Sequence, residues 1–212
     1  EVDLTREEMD AWAFRSHQRA VAAVDAGMFD AEIVPVQALQ ADGTRKEFAV
    51  DEHPRRDSSL QKLASLKVLH PEIEGFSITA GNASGMNDAA AAVMIVGSDL
   101  AAEQGLPVLA TVKAWAATAI DPALMGLAVL DVIPKVLDRA GITVADVALW
   151  EINEAFAVVA EKFMRDLDLD RSKVNVNGGS IALGHPIGAT GAILIGTILD
   201  ELERRNLKRG LV

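Results

Sequence analysis

The sequence predicts an α/β fold with parallel strands covered by helices, and three observations carry that expectation. Half of the 212 residues are hydrophobic, yet only 4% are aromatic and none is Tyr, so the core is built from Ala, Val, Leu and Ile, as in strands buried on both faces. Apolar runs of strand length alternate with stretches of helical periodicity. Clusters of glycine and other small residues stand between several of them, where such folds turn from strand to helix.

Taken in order, Thr5 with Glu8 three positions on has the pattern of a capping box, and Met9, Trp12, Ala13, Ser16, Ala20 and Val24 recur at helical spacing. Residues 1 to about 27 therefore predict one helix, stopped by Gly27. Its charged residues Arg6, Glu7, Arg15 and Arg19 are most simply a solvated face. A short strand from Glu32 to Val36 leads into a polar stretch around Asp42-Gly43, and the run from Asp51 to Asp57 is loop-like, more lid than core. Ser77-Ile78-Thr79 is strand-like and opens into Ala80-Gly81-Asn82-Ala83-Ser84-Gly85, small residues that let a ligand or another backbone come close. Ala92 to Val96 predicts a buried strand, Ser98 caps a turn of helix before Pro107, and Val108 to Thr118 predicts a further strand. Asp131 to Ala140 is helical and closes at Gly141, while Val147 to Ile152 is a strand running directly into a helix from Glu154 to Leu167. Val174 to Asn177 enters a glycine-rich loop that reaches Gly191, and a helix follows to about Arg205. At the end an apolar run begins at Leu211 and stops after two residues; with no Met at the start, this predicts a fragment.

Composition narrows the function. A net charge of −11 repels phosphate backbones, so no nucleic-acid partner is expected. The absence of cysteine excludes a disulfide framework, a thiolate metal site and a cysteine nucleophile within these residues. No apolar run has the length of a membrane span and the start has no signal-peptide profile, so no membrane insertion and a cytoplasmic location are expected.

Two constellations could carry chemistry. Between Asn175 and Gly191, five glycines surround His185 and can bring its imidazole to a helix N-terminus, where a neutral ring both accepts a proton and donates to a developing oxyanion. A structural histidine in a tight turn, or a phosphate cradle of backbone amides, is the plainer alternative. Asn153-Glu154-Ala155-Phe156-Ala157 stands at the carboxyl end of a strand, where open α/β sheets place ligand chemistry; Asn153 is either a helix cap or a catalytic group there.

Together these strings resemble the thiolase family. Asn175 to Gly191 is similar throughout to its histidine-loop signature, Asn153 to Ala157 to its Asn-Glu-Ala-Phe-Ala motif, and Thr79 to Asp88 (TAGNASGMND) to its pantetheine-side loop. The resemblance covers essentially the whole chain, but only about the last half of a thiolase without its final stretch. It implies a partial αβαβα layered fold, with residues 1–85 as part of a covering loop domain, 86–107 as the end of the N-terminal half and 108–212 as most of the C-terminal half. It also implies an acyl-CoA C-acyltransferase, either thiolysing 3-ketoacyl-CoA or condensing acetyl-CoA units through a Cys acyl-enzyme. Both family cysteines would lie outside this chain, so the chain alone is expected to be inactive. His185 would activate the nucleophile and donate to the thioester oxygen, and Asn153 would hold a water in the same oxyanion hole. Ser84 and the Ala83 carbonyl would meet the pantetheine arm; Met125, Ala155 and Phe156 would line the pocket near the acyl sulfur; Arg55 would approach the nucleotide phosphates. The implied partners are acyl-CoA thioesters, with CoA as substrate or product rather than cofactor, no metal, and a homodimer or homotetramer. A non-catalytic CoA- or lipid-binding carrier of the same fold is the competing reading. A β-ketoacyl synthase, which normally uses two catalytic histidines, fits the Asn153 motif less well.

Overall fold

The computed structural model describes residues 2–212. The capping box forms as the sequence predicts. The Thr5 hydroxyl accepts from the Glu8 amide and the Glu8 carboxylate accepts from the Thr5 amide, starting helix α1 at Arg6–Asp25. Its arginines are not simply solvated. Arg6 donates to Asp10 and to the Leu63 carbonyl, Arg19 donates to the Val174 and Asn175 carbonyls, and Arg15 lies 4.1 Å over the Trp12 ring. The helix that looked surface-facing from its charges therefore clamps two later segments, at Leu63 and at Val174–Asn175.

After α1 the backbone turns at residues 26–32, and the expected strand from Glu32 to Val36 is displaced: β1 is Val36–Leu39, paired antiparallel with β2, Arg45–Phe48, around the Asp42-Gly43 turn. Residues 51–57 are loop, as expected, and α2 is Leu60–Ala64. Ser77 to Thr79 forms no ladder, only a bridge from Thr79 to Val68. The two expected strands at Ala92–Val96 and Val108–Thr118 do not form. No partner strand among the described residues pairs with them, and Met94 and Ile95 are 86% and 78% exposed. Between them α3 runs Ser98–Gln104, and Gly97, not Ser98, is its cap.

A six-residue 3₁₀ segment, Pro122–Leu127, leads into α4, Ala128–Ala140, which ends at Gly141 in the left-handed conformation. The central strand β3, Leu149–Trp150, is parallel to β4, Gly210–Leu211, and Trp150 bridges in parallel to Val174 on the other side. Helix α5 is Ala157–Asp166, α6 is Ser180–Leu183 and α7 is Thr190–Arg204. The core lies where α1, α4 and α5 meet this sheet, with Met9, Trp12, Ile133, Trp150 and Phe163 buried together. Trp150 and Phe163 meet edge to face, 5.9 Å between ring centres. Among the described residues no helix is long and apolar enough to cross a membrane.

Glu32, in the turn after α1, is pushed up to about 7 by burial and by the neighbouring Asp200. Its folded-state value exceeds its unfolded one, so the stability that it contributes is complete below about 4.5 and is lost as pH rises through about 7. Glu32→Gln is therefore expected to stabilise the chain by about 1–2 kcal/mol at pH 8 and hardly at all at pH 4.5, allowing for its partial exposure. Urea midpoints of both proteins at the two pH values test this; an equal gain at both would remove the titration as its cause.

Candidate active site

The backbone beyond β3 stays extended instead of entering a helix, and two contacts hold it so. On one side the Asn175 side chain pairs with Ile152, accepting from its amide at 2.7 Å and donating to its carbonyl at 2.8 Å. On the other, the Ser84 amide donates to the Ala155 carbonyl and the Ala157 amide to the Asn82 carbonyl, each at 2.9 Å. Ala83 and Phe156 are thus the non-hydrogen-bonded pair of a short antiparallel bridge, which leaves the Ala83 carbonyl outside the ladder. Helix α5 begins only after this bridge. Its cap is Phe156, so Asn153 is not a helix cap, and Glu154 is not in a first turn.

Glu154 is instead fully buried. One carboxylate oxygen accepts from Trp12 Nε1 at 2.9 Å and Asn175 Nδ2 at 2.8 Å; the other accepts from Ser16 Oγ at 2.7 Å and the Ile181 amide at 3.3 Å. Burial pushes its proton affinity up, and these four donors hold it down. The carboxylate therefore fixes α1, the Asn153 segment and the start of α6 to one point. Gly179 makes room for it, since a Cβ there would lie 2.2 Å from Glu154 Cδ.

With the frame fixed, Asn153 and His185 meet. Asn153 Nδ2 is 3.2 Å from His185 Nε2, and Ser180 Oγ donates to Asn153 Oδ1 at 2.6 Å, which orients the amide. His185 Nδ1 is 2.7 Å from the hydroxyl of Thr190, the first residue of α7, and that hydroxyl donates to the Pro186 carbonyl. The Thr190 proton being committed, Nδ1 donates to Thr190 and Nε2 is left as an acceptor facing Asn153. Gly184, at φ +95, allows the loop to turn after α6, and the His185 amide donates to Asn87 Oδ1 at 3.2 Å. The arrangement can take a proton at Nε2 and then offer that N–H, beside the Asn153 amide, to an oxygen acquiring charge.

Of the residues picked out by sequence, Asn153, His185, Ala83, Ser84, Ala155 and Phe156 are brought into one neighbourhood. Met125, on the 3₁₀ segment, is 72% exposed, and Arg55 is exposed with its amide donating to His17 Nδ1 at 3.2 Å. Among the described residues no hydrogen bond ties either of them to Asn153 or His185. Sequence reasoning missed Asn87 and the roles of Ser180 and Thr190. All three lie inside the two glycine-rich strings, but only the fold shows which atoms they face.

A family model for the thiolase N-terminal domain matches residues 1–99, and one for the thiolase C-terminal domain matches residues 106–212. An acetyl-CoA acetyltransferase of Pseudomonas aeruginosa is 46% identical over 98% of this chain and 52% of its own length. A 3-ketoacyl-CoA thiolase of Erwinia tasmaniensis is 41% identical over 98% of the chain and 54% of its own. The crystal structure of the Bacillus anthracis acetyl-CoA acetyltransferase superposes with a TM-score of 0.93 at 42% identity, covering 99% of this chain and 53% of that one. The chain spans about half the length of the curated relatives that it matches.

Proposed function

Since the chain belongs to the thiolase family, we propose that it supplies the histidine and asparagine side of an acyl-CoA C-acyltransferase site, acting on 3-ketoacyl-CoA or acetyl-CoA. The observation that carries this reading is the 3.2 Å contact of Asn153 with His185, each oriented from behind by its own hydroxyl. His185 Nε2 accepts the proton of a cysteine thiol, the thiolate forms a bond to the thioester carbon of acetyl-CoA or to the 3-keto carbon of a 3-ketoacyl-CoA, and the carbonyl π electrons move onto oxygen. The Nε2–H so formed, with Asn153 Nδ2–H acting directly or through a water, stabilises that oxyanion until it collapses and expels the CoA thiolate in the first case or the enolate of acetyl-CoA in the second, the departing anion then taking up a proton. The cysteine is supplied from outside these residues, which contain none. In this reading residues 1–85 belong to a loop domain, 86–107 end the N-terminal half and 108–212 form most of the C-terminal half. The assembly is a dimer or tetramer.

The pantetheine arm runs past Ser84 and the free Ala83 carbonyl, Phe156 and Ala155 flank the acyl sulfur with Met125 beyond them, and Arg55 reaches the nucleotide phosphates. Small side chains on the strip from Ser77 to Gly85 suit a slender arm better than a flat aromatic ligand. Ser84→Trp leaves the bridge to Ala155 intact, because that bridge uses the backbone amide. Titration of CoA into the protein by calorimetry is expected to show at least a tenfold loss of affinity; unchanged affinity would remove Ser84 from the binding surface.

A further inference from the structure

Behind the Asn153–His185 pair lies a small cavity of about 20 Å³, lined among others by Glu151, Ser180, Thr190, Thr197, Gly179 and Gly184. That volume holds one water molecule. Glu151 is 3% exposed and anchored by its amide to the Leu211 carbonyl, and its Oε2 is the one buried side-chain polar atom among the described residues without a partner. Two of the other lining residues are the very hydroxyls that orient the pair: Ser180 on Asn153 and Thr190 on His185.

We infer that Glu151 is a positioning residue for Asn153 and His185, its buried carboxyl holding one water in this cavity against the Ser180 and Thr190 hydroxyls. The inference rests on the pair being the reacting site. Such a bridge closes the hydrogen-bond accounting of Oε2. Ser180 spends its proton on Asn153 and Thr190 spends its proton on Pro186, so each oxygen keeps a lone pair and neither can donate into the cavity. A water that accepts from the carboxylic acid and donates to both oxygens satisfies Oε2 and the two hydroxyls. Burial pushes the Glu151 carboxyl well above its ordinary value; the negative charges of Glu154 and Glu32 add to this, and Arg19 of α1 opposes it. These causes favour the neutral acid, the form that can donate to the water. The bridge keeps both hydroxyls from rotating, and with them the ring and the amide.

The readout is the imidazole tautomer of His185, seen in the ¹⁵N shifts of its two ring nitrogens in the labelled chain without CoA. The unsubstituted chain should show Nδ1 protonated and Nε2 bare. Glu151→Gln retains a donor at the same place and should leave both shifts unchanged, whereas Glu151→Leu fills the cavity with hydrocarbon and should lose the separation between them. A folded Glu151→Leu chain with unchanged shifts overturns the inference, as does a Glu151→Gln chain that behaves like the leucine variant. If Glu151→Leu does not fold, as judged by far-ultraviolet dichroism, Leu194→Phe closes the same cavity from α7 with Glu151 in place and is read in the same way. A protonated Nε2 in the unsubstituted chain would instead undo the reading of the pair itself, before any substitution at position 151.

Discussion

Mixed with acetoacetyl-CoA and CoA, the 212-residue chain alone will not consume the ketoacyl thioester, whereas a protein that joins this chain to a cysteine nucleophile will, and His185→Ala will lower its kcat by about 10²–10⁴-fold. The first half of this expectation follows from chemistry that the chain lacks. Covalent acyl transfer needs an activated nucleophile, and the hydroxyls nearest the site are already committed: Ser180 to Asn153 and Thr190 to the Pro186 carbonyl. Ser180 cannot give up its proton without releasing the Asn153 amide, and Thr190 cannot without breaking its bond to the Pro186 carbonyl. The second half follows from the two duties that fall on one nitrogen, since Nε2 takes the thiol proton and then faces the oxyanion. Loss of enolate absorbance from acetoacetyl-CoA measures both proteins at equal concentration. Robust turnover by the pure chain would overturn the proposed function, and a joined protein that binds CoA yet never turns over would favour a carrier.

Gly179→Ala will cost about 3–5 kcal/mol, although it adds a single methyl group. The new Cβ would stand 2.2 Å from Glu154 Cδ and 2.4 and 2.5 Å from its oxygens. Relief requires moving the carboxylate, which would leave Trp12 Nε1, Asn175 Nδ2 and the Ile181 amide unpaired in a buried place, or moving α6, which would open the seam with α1. A domain of this size has only about 5–15 kcal/mol to lose. Glu154→Leu should cost a similar amount by stranding the same donors, and Gly188→Ala, whose Cβ meets nothing within 4 Å, should change stability by less than about 0.5 kcal/mol. Urea unfolding of the three variants tests the set; a loss below about 1 kcal/mol for Gly179→Ala would show that the carboxylate is not held as described.

What could be read from the sequence was what is encoded locally. Thr5 and Glu8 make their box within one helical turn, Gly141 ends α4 by its own left-handed backbone, and the strings around Asn153 and His185 carry their chemistry in a few consecutive residues. What could not be read depends on distant partners. The start of α5 moved from Glu154 to Ala157 because residues 155–157 are held extended by 82–84, and no property of the Asn-Glu-Ala-Phe-Ala string announces that bridge. Ala92–Val96 and Val108–Thr118 have the apolar, β-branched make-up of strands, but such a pattern specifies burial and not the identity of the neighbour to be paired with. Glu154 looked like a residue favoured by a helix dipole and turned out to be the hub of the frame, because its donors come from α1, Asn175 and α6.

The Glu154 hub also dictates an order of folding. Trp12 and Ser16 lie 142 and 138 positions before the carboxylate that they bond, and the Ser16 hydroxyl accepts from the Gly179 amide across 163 positions. Contacts of such sequence separation are slow to close, because loop entropy is lost before any bond repays it. During synthesis α1 emerges well before Gly179 and Ile181, and its bonds to this hub cannot close until both have left the ribosome. The frame around Asn153 and His185 is therefore among the last parts of these 212 residues to mature, and the site stays unformed while the helix that anchors it is already complete.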